Sequence, residues 1–576
     1  MDQQAPGAPA ASKAAIELAP QRRRLVTAII LLAFFMDVLD TSIVNVAIPA
    51  IQDGLGASYA AIQWVIAGYS LAFALFLITG GRLGDIFGYR TLFVAGMVGF
   101  TIASALSGLA PTIEVLIAAR FLQGTMAAVM VPQILSTIQV IYAREERKNV
   151  TGFYGAAAGL ASVMGPVVGA LLIAADIGGL GWRMIFLVNV PVGIAAAIAA
   201  ALFQPDARSP SPLKIDAVGV GLILLAMLLL MYPLIQGREL DWPAWTFLAM
   251  AASLPVFAAF AWSQVAKERR DGSPLLVPGL FALPAFVVGI AINASLYAVI
   301  AAFFLTFTIH LQIGLNFSVL AAGLTGIPFS IGIGLTAGLS GPVLVPRFGR
   351  NLLSVGALTM AAGCGLVAAA AGFFGGALQS WQLAPGLFIA GAGMGMIVAP
   401  VVAFILAGVP VQDAGSASGV ISAVGQVGSA IGVAVIGVIF FGAIAERADE
   451  ATFSVEAALR ADLTAAGVNE FAANRIFTQF QICFADIAGQ KSAKGGTDDC
   501  RPENAAANLA AQGIVGDRAG IQRALVQRAR EAGEWDFARA FVEAVGWQIA
   551  WVLAIFALTF FLPRVPATPE TAGAAA

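Results

Sequence analysis

Charge is scarce in this chain: 11% of its 576 residues are Asp, Glu, Lys or Arg, and 59% are hydrophobic. A soluble domain carries about 25% charged residues, so a water-exposed globule is excluded. There is one histidine, His310, and there are three cysteines. No Ser/His/Asp or metal-ligand spacing accompanies them, which argues against an enzyme. No Gly-Lys-Ser/Thr loop cradles a nucleotide phosphate, so ATP is not the expected energy source. The net charge is −2, and without a basic tract nucleic acid is not an expected partner.

What remains is long apolar runs. Ala217–Leu234 holds no charge at all, and a helix of about 20 apolar residues crosses the hydrocarbon layer. Runs of that kind predict spans near 25–49, 61–80, 91–110, 114–141, 151–174, 183–203, 217–236 and 244–265. Six more follow near 281–308, 318–341, 352–374, 384–408, 417–445 and 544–563. The first begins after Arg22-Arg23-Arg24 and outlasts the roughly 7–15-residue apolar core of a signal peptide, so it reads as an uncleaved helix. Fourteen spans place both termini on one side. The expected fold class is an all-α integral membrane protein of about fourteen helices.

Outside 446–543 the chain holds 20 Lys/Arg, and seventeen fall at the termini or the even-numbered connections. They include Arg82, Arg90, Arg144, Arg147, Lys148, Arg208, Lys214, Lys267, Arg269, Arg270, Arg347 and Arg350. The positive-inside rule then puts both termini in the cytoplasm; the expected location is the cell's inner (plasma) membrane. Segment 446–543, with 11 Lys/Arg and 15 Asp/Glu, becomes an extracytoplasmic insert. Helical spacing in Val455–Phe484 and Ile521–Val545 suggests a small cap joined at Gly495–Asp499. Cys483 and Cys500 are candidates for a disulfide on an oxidising side, while Cys364 reads as a packing residue.

Charge inside a span is costly and points to function. Asp37 and Asp40 lie in the first span, three residues apart and so on one helix face. Arg120 is the one cation within a span, and Gln123 and Gly124 share its face. An acid and an arginine on separate helices would pair, or share water, in a central cavity. The connection Gly80–Arg90 contains Gly81, Arg82, Asp85, Gly88 and Arg90. Its glycines permit a tight turn, Asp85 could cap a helix, and the arginines anchor the membrane surface.

Here the chain resembles a known family. Gly81–Arg90 looks like the signature loop of the major facilitator superfamily, and Leu39–Pro49 resembles the first-span motif of its fourteen-span drug:proton antiporter branch. Arg120–Gly124 is similar to the fourth-span motif, Gly159–Gly169 to the antiporter motif of span five, and Trp182–Pro191 to the start of span six. The resemblance implies two six-helix bundles, at 25–203 and at 281–445 with 544–563. Two linker spans occupy 204–280, and the tails are 1–24 and 564–576. Departures are Ile86 where a cation is common, the second-half loop Pro346–Arg350 without its acid, and the long insert. Asp413, the nearest candidate for a further acid in a later span, falls at a membrane edge.

The implied function is proton-coupled export of lipophilic, cationic small molecules by alternating access. The alternative is a narrow-substrate exporter of a lipid, siderophore or antibiotic; a membrane enzyme and a receptor acting through the insert are rivals of other classes. Asp40 is the candidate proton carrier, since a carboxylate in a low-dielectric cavity can exchange protons near neutral pH. Asp37 is a second protonation or cation-recognition site, and Arg120 pairs with Asp40 in one conformation and frees it in another. Asp37, Asp40 and Gln123 are expected to line the substrate cavity. Gly159, Gly165, Pro166 and Gly169 allow close approach and a bend. His310 reads as a surface or packing residue. No cofactor or metal is expected beyond the proton gradient. The expected partners are substrates, protons and lipids, with a periplasmic adaptor protein left open.

Overall fold

A computed structural model describes residues 18–142, 146–208, 214–237, 240–406, 409, 414–489 and 517–562. Every regular element among them is a helix. In hydrocarbon only a helix or a closed barrel satisfies its own backbone hydrogen bonds. The first six are α1 (Pro20–Leu55), α2 (Tyr59–Phe87), α3 (Tyr89–Gly108), α4 (Ile113–Ile141), α5 (Arg147–Ala175) and α6 (Gly181–Phe203). Then come α7 (Ala217–Gln236), α8 (Ala244–Asp271), α9 (Pro284–Ile309), α10 (Val319–Leu339), α11 (Asn351–Phe374) and α12 (Ser380–Leu406). The last are α13 (Ala414–Ala465), α14 (Glu470–Gly489) and α15 (Arg518–Thr559).

Thirteen described helices are long and apolar enough to cross a membrane, and α5, with its apolar stretch Met164–Ala175, stands where the fifth span was expected. Uncharged or single-charge caps start several of them. Ser58 accepts from the Ala61 amide at 3.2 Å, Ser318 from Ala321 at 3.1 Å, and Asp216 from Gly219 at 3.0 Å.

The helices pair in a repeated pattern. In the first half α2 packs on α4, α4 on α3, α1 on α5 and α3 on α6. In the second α10 packs on α12, α12 on α11, α9 on α13 and α11 on α15. The tightest crossings are made by glycine. A Cβ on Gly124 would strike the Tyr69 carbonyl, and one on Gly391 would strike the equivalent carbonyl of Phe329. Such crossings supply the close van der Waals packing that drives association where lipid removes the hydrophobic incentive. The hairpin α7–α8 stands outside both bundles, with α7 touching α2 and α13.

One face carries the start of α1; the other carries the insert. Arg22–Arg24, Arg82, Arg90, Arg208, Lys214, Lys267, Arg347 and Arg350 all fall at helix ends on the first, here called the terminal face. On the insert face the bundles share one apolar core, in which Ile43–Ile51, Ile62, Val65 and Trp182 join residues of α9–α13 and α15. Towards the terminal face the first bundle keeps a core of its own, from Val26–Met36, Phe93–Phe100 and Ala127–Ile141. The bundles therefore share their apolar core at the insert face, and α2 and α13 stay in contact below it, at Ile78 and Gly419.

The insert differs from the expected helical stretches. Helix α13 runs unbroken out of its span to Ala465, the chain turns at Gly467 (φ 80°), and α14 starts at Glu470, so Val455–Phe484 is two helices. Ile521–Val545 lies within α15, which enters the membrane without a break. Leu459, Leu463, Ile476, Phe477 and Leu525 give this three-helix cap a core of its own. Cys483 is disulfide-bonded, while Cys500 and Gly495–Asp499 lie outside the described residues. Cys364 is a buried free thiol.

Gly391→Ala should lower stability by about 1–3 kcal/mol through overpacking. Gly334→Ala, where a Cβ meets open space, should not lower it at all. Thermal unfolding of the detergent-solubilised protein reads both, and equal melting of the two variants would contradict the glycine crossings.

Candidate functional site

The charged residues of the first half converge in one dry cluster. Asp40 of α1 is fully buried, and Arg120 of α4 is 1% exposed. Arg120 Nη1 lies 2.5 Å from Asp40 Oδ2. Gln123 Nε2 donates to Asp40 Oδ1 at 2.9 Å, and Asn189 Nδ2 of α6 donates to the same oxygen at 2.7 Å. Ser104 of α3 completes the cluster, accepting from Gln123 at 3.1 Å and from Asn189 at 3.0 Å while donating to the Phe186 carbonyl at 3.2 Å. The guanidinium also reaches Gln123 Oε1 at 2.8 Å and the Val65 carbonyl at 3.2 Å. A buried ion pair is tolerable only when its remaining donors and acceptors find partners, and here most do.

Asp37 sits one turn earlier on α1 and accepts a short hydrogen bond from the Tyr69 hydroxyl of α2. The Tyr69 ring in turn lies 4.3 Å from the Arg120 guanidinium carbon. Two carboxyls thus share one cation, Asp40 directly and Asp37 through the tyrosine. Asn189, Ser104 and Tyr69 were not singled out from the sequence. Asn189 lay within the quoted motif Trp182–Pro191, but one amide or hydroxyl in an apolar span announces no partner. Contrary to expectation, Asp40 and Gln123 are enclosed by their own bundle and line no open cavity in this state, because all their partners come from α1, α3, α4 and α6.

The loop at Gly81–Arg90 is also anchored. Arg82 is buried and donates to the carbonyls of Lys214 (2.8 Å), Ser273 (3.0 Å) and Pro274. Those carbonyls flank the α7–α8 hairpin, so Arg82 clasps its base. Asp216 and Gln264 tie the same base together at 2.8 Å. Arg90 pairs with Asp206 at 3.6 Å, and Gly88, with φ 102°, makes the turn into α3. Asp85 does not cap a helix. It lies in the last turn of α2 and accepts from the Tyr89 hydroxyl at 2.9 Å, while α3 starts without a side-chain cap.

In α5, Gly165 and Gly169 let the helix settle on α1, where a Cβ on Gly169 would lie 2.6 Å from Ile43 Cγ1. The Pro166 carbonyl meets Gly323 of α10 in the other bundle, a Cβ there lying 2.9 Å away. Gly159 lies within α5, whereas Asp413 is outside the described residues. His310 is a packing residue and not a surface one. It is 1% exposed and stacks on Phe541 with centroids 4.5 Å apart.

Residues 30–433 match the model of the Major Facilitator Superfamily. The chain belongs to this superfamily. It is accordingly a multi-pass membrane transporter. A protein named as a probable actinorhodin transporter, from Streptomyces coelicolor, is 38% identical over 95% of this chain and 93% of its own length. The multidrug resistance protein Stp of Mycobacterium tuberculosis is 31% identical over 70% of this chain and 74% of its own. A solved bacterial homologue of the human lysosomal transporter Spinster, in an inward-facing and unoccupied conformation, superposes with a TM-score of 0.57 at 16% identity. It covers 96% of this chain and all of that one, and carries the fold alone.

Arg120→Ala leaves a buried carboxylate without its cation and should cost about 3–5 kcal/mol. The double replacement Asp40→Leu with Arg120→Met should recover most of that loss. Unfolding of the purified variants measures both, and a single variant no less stable than the double would contradict the dry ion pair.

Proposed function

We propose that the protein exports lipophilic organic molecules from the cytoplasm in exchange for protons. The single observation that carries this reading is the buried Asp40–Arg120 pair with Asp37 beside it. A family transporter has no evident need of two carboxyls and an arginine deep in one bundle unless they change partners during the cycle. The names of its relatives, an antibiotic transporter and a multidrug resistance protein, support the substrate class.

The exchange follows from the hydrogen bonds. Ionised Asp40 holds Arg120, Gln123 and Asn189 on three acceptor contacts. A proton on Asp40 removes the charge that holds Arg120, and the guanidinium can then shift towards Tyr69 and Asp37. A proton on Asp37 is accommodated by reversing its bond, the Tyr69 hydroxyl becoming the acceptor. Rearrangement among α1, α2, α4 and α6 biases how this bundle sits on the other, and that relation must alternate during transport.

The terminal face is the cytoplasmic one in this reading, supported by the cations gathered there. A narrow-substrate exporter is the second reading. It is favoured because the relative that matches 95% of this chain, insert included, is named for one compound, while the multidrug relative matches 70%.

In liposomes, a panel of lipophilic cations should move protons across the membrane with the wild type. Asp40→Asn should cut compound-driven proton movement at least about tenfold, a loss of 1.4 kcal/mol or more in coupling. Undiminished flux in Asp40→Asn with loss in Asp37→Asn would move the carrier to Asp37. Flux unaffected by either variant would sink the coupling site, and no flux with any cation would favour the narrow-substrate reading.

A further inference from the structure

Where α13 and α15 leave the membrane towards the insert, they enclose charge that the exchange at Asp40 does not use. Asp536 of α15 is 1% exposed, and its Oδ1 has no hydrogen-bond partner among the described residues. Arg447 of α13 pairs with Glu543, further along α15, and leaves its own Nη1 without a partner among the described residues. A buried carboxylate without donors is costly when ionised and far less so when it carries a proton.

The helix around Asp536 is closely packed. Phe537 stands edge-on to Phe440 of α13, with ring centroids 6.2 Å apart. It also meets the π-turn His310–Gly314 at the end of α9, where a Cβ on Gly314 would lie 2.7 Å from Phe537 Cβ. Phe541, one turn on, stacks on His310. Gln312 of the same turn donates to the Val46 carbonyl of α1 at 2.9 Å.

Few charges bear on this acid. Arg447 and Glu450 act on it from α13, α9 brings His310, and α11, which also packs on α15, carries no charged residue. On α15 itself Glu543 is held by Arg447. Burial pushes the Asp536 carboxyl from its ordinary 3.8 up to about 7; Arg447 opposes that rise and Glu450 adds to it.

We propose that Asp536 is a proton-binding site at the insert face, and that its proton keeps α15 packed against α13 and the end of α9. On the orientation adopted above this face meets the outside solution, so the junction of cap and membrane responds to external pH without the Asp40–Arg120 pair. With α15 packed, the acid keeps its proton up to about pH 7; with the junction open and the carboxyl solvated, it releases it near 3.8. Opening between those values sheds a proton. The packed arrangement is therefore firmest below about pH 4 and weakens as pH rises to about 7, the opening constant growing by up to about tenfold per pH unit.

Hydrogen exchange of the full chain in lipid nanodiscs, corrected for the intrinsic pH dependence of amide exchange, reads this opening. Protection of Ala532–Val545 should fall at least about tenfold between about pH 5 and about pH 7.5, while that of Phe93–Phe100 in α3 stays constant. Asp536→Asn, neutral at every pH, should keep the protection high and level. Glu450→Gln, at an exposed position, should move the fall to lower pH. Protection of Ala532–Val545 that ignores pH in the wild type would overturn the proposal. So would a fall retained in Asp536→Asn, or one moved to higher pH in Glu450→Gln. No substrate enters the measurement, so its outcome is separate from that of the export reading.

Discussion

An arginine and an aspartate buried in a lipid-embedded helix bundle constrain everything around them. Each alone would carry a desolvation penalty of several kcal/mol, so each must keep a partner in every conformation the protein visits. The structure meets that demand with Gln123, Asn189, Ser104 and the Val65 carbonyl, drawn from α2, α3, α4 and α6. Packing follows from it. Helix α4 must approach α2 closely enough for Arg120 to reach both Val65 and Tyr69, and Gly124, seated on the Tyr69 carbonyl, permits that approach. The second bundle repeats the glycine crossing at Gly391 but has no counterpart of the ion pair among its described spans. One bundle thus holds charge while the other is built on packing.

The position of the bundles relative to one another gives that asymmetry a consequence. They share a core at the insert face and keep contact along α2 and α13, while α5 touches both α1 and α10. Ser42 and Ile43, which follow Asp40 by less than a turn, are the residues on which Gly165 and Gly169 rest. Direct contacts thus run from the turn after Asp40 to α5, and from α5 to the opposite bundle at Gly323. The loop at Gly81–Arg90 serves a different end in this state, since Arg82 and Arg90 hold the hairpin base and Asp206.

Much of this was legible in the sequence because lipid imposes simple rules. Apolar length gave the spans, and their described counterparts stand one for one from α1 to α15, leaving aside the cap helix α14. The pairing of Asp40 with Arg120 could be anticipated because unpaired charge in a span is so costly. Asn189, Ser104 and Tyr69 could not, since a neutral polar residue fits equally well on its own helix backbone, as Thr101 does with Met97. The role of Asp85 was misjudged for a local reason. Glycine at 84 and 88 suggested an early turn, but Gly84 stays helical to pack against Gln133, and only Gly88 leaves the helix. The cap was read as two separate helices because charge marks where solvent begins, not where a helix ends. Helices α13 and α15 cross that boundary without a break.

The central claim is that a substrate exchanges with a proton on the carboxyls of α1. Difference infrared spectroscopy of the purified protein, with and without a bound lipophilic cation, observes protonated carboxyl groups directly. The account predicts that binding the cation removes a protonated-carboxyl band, and that Asp40→Asn or Asp37→Asn abolishes that change. A spectrum in which binding leaves every carboxyl band unaltered, in a protein that still transports, would contradict it.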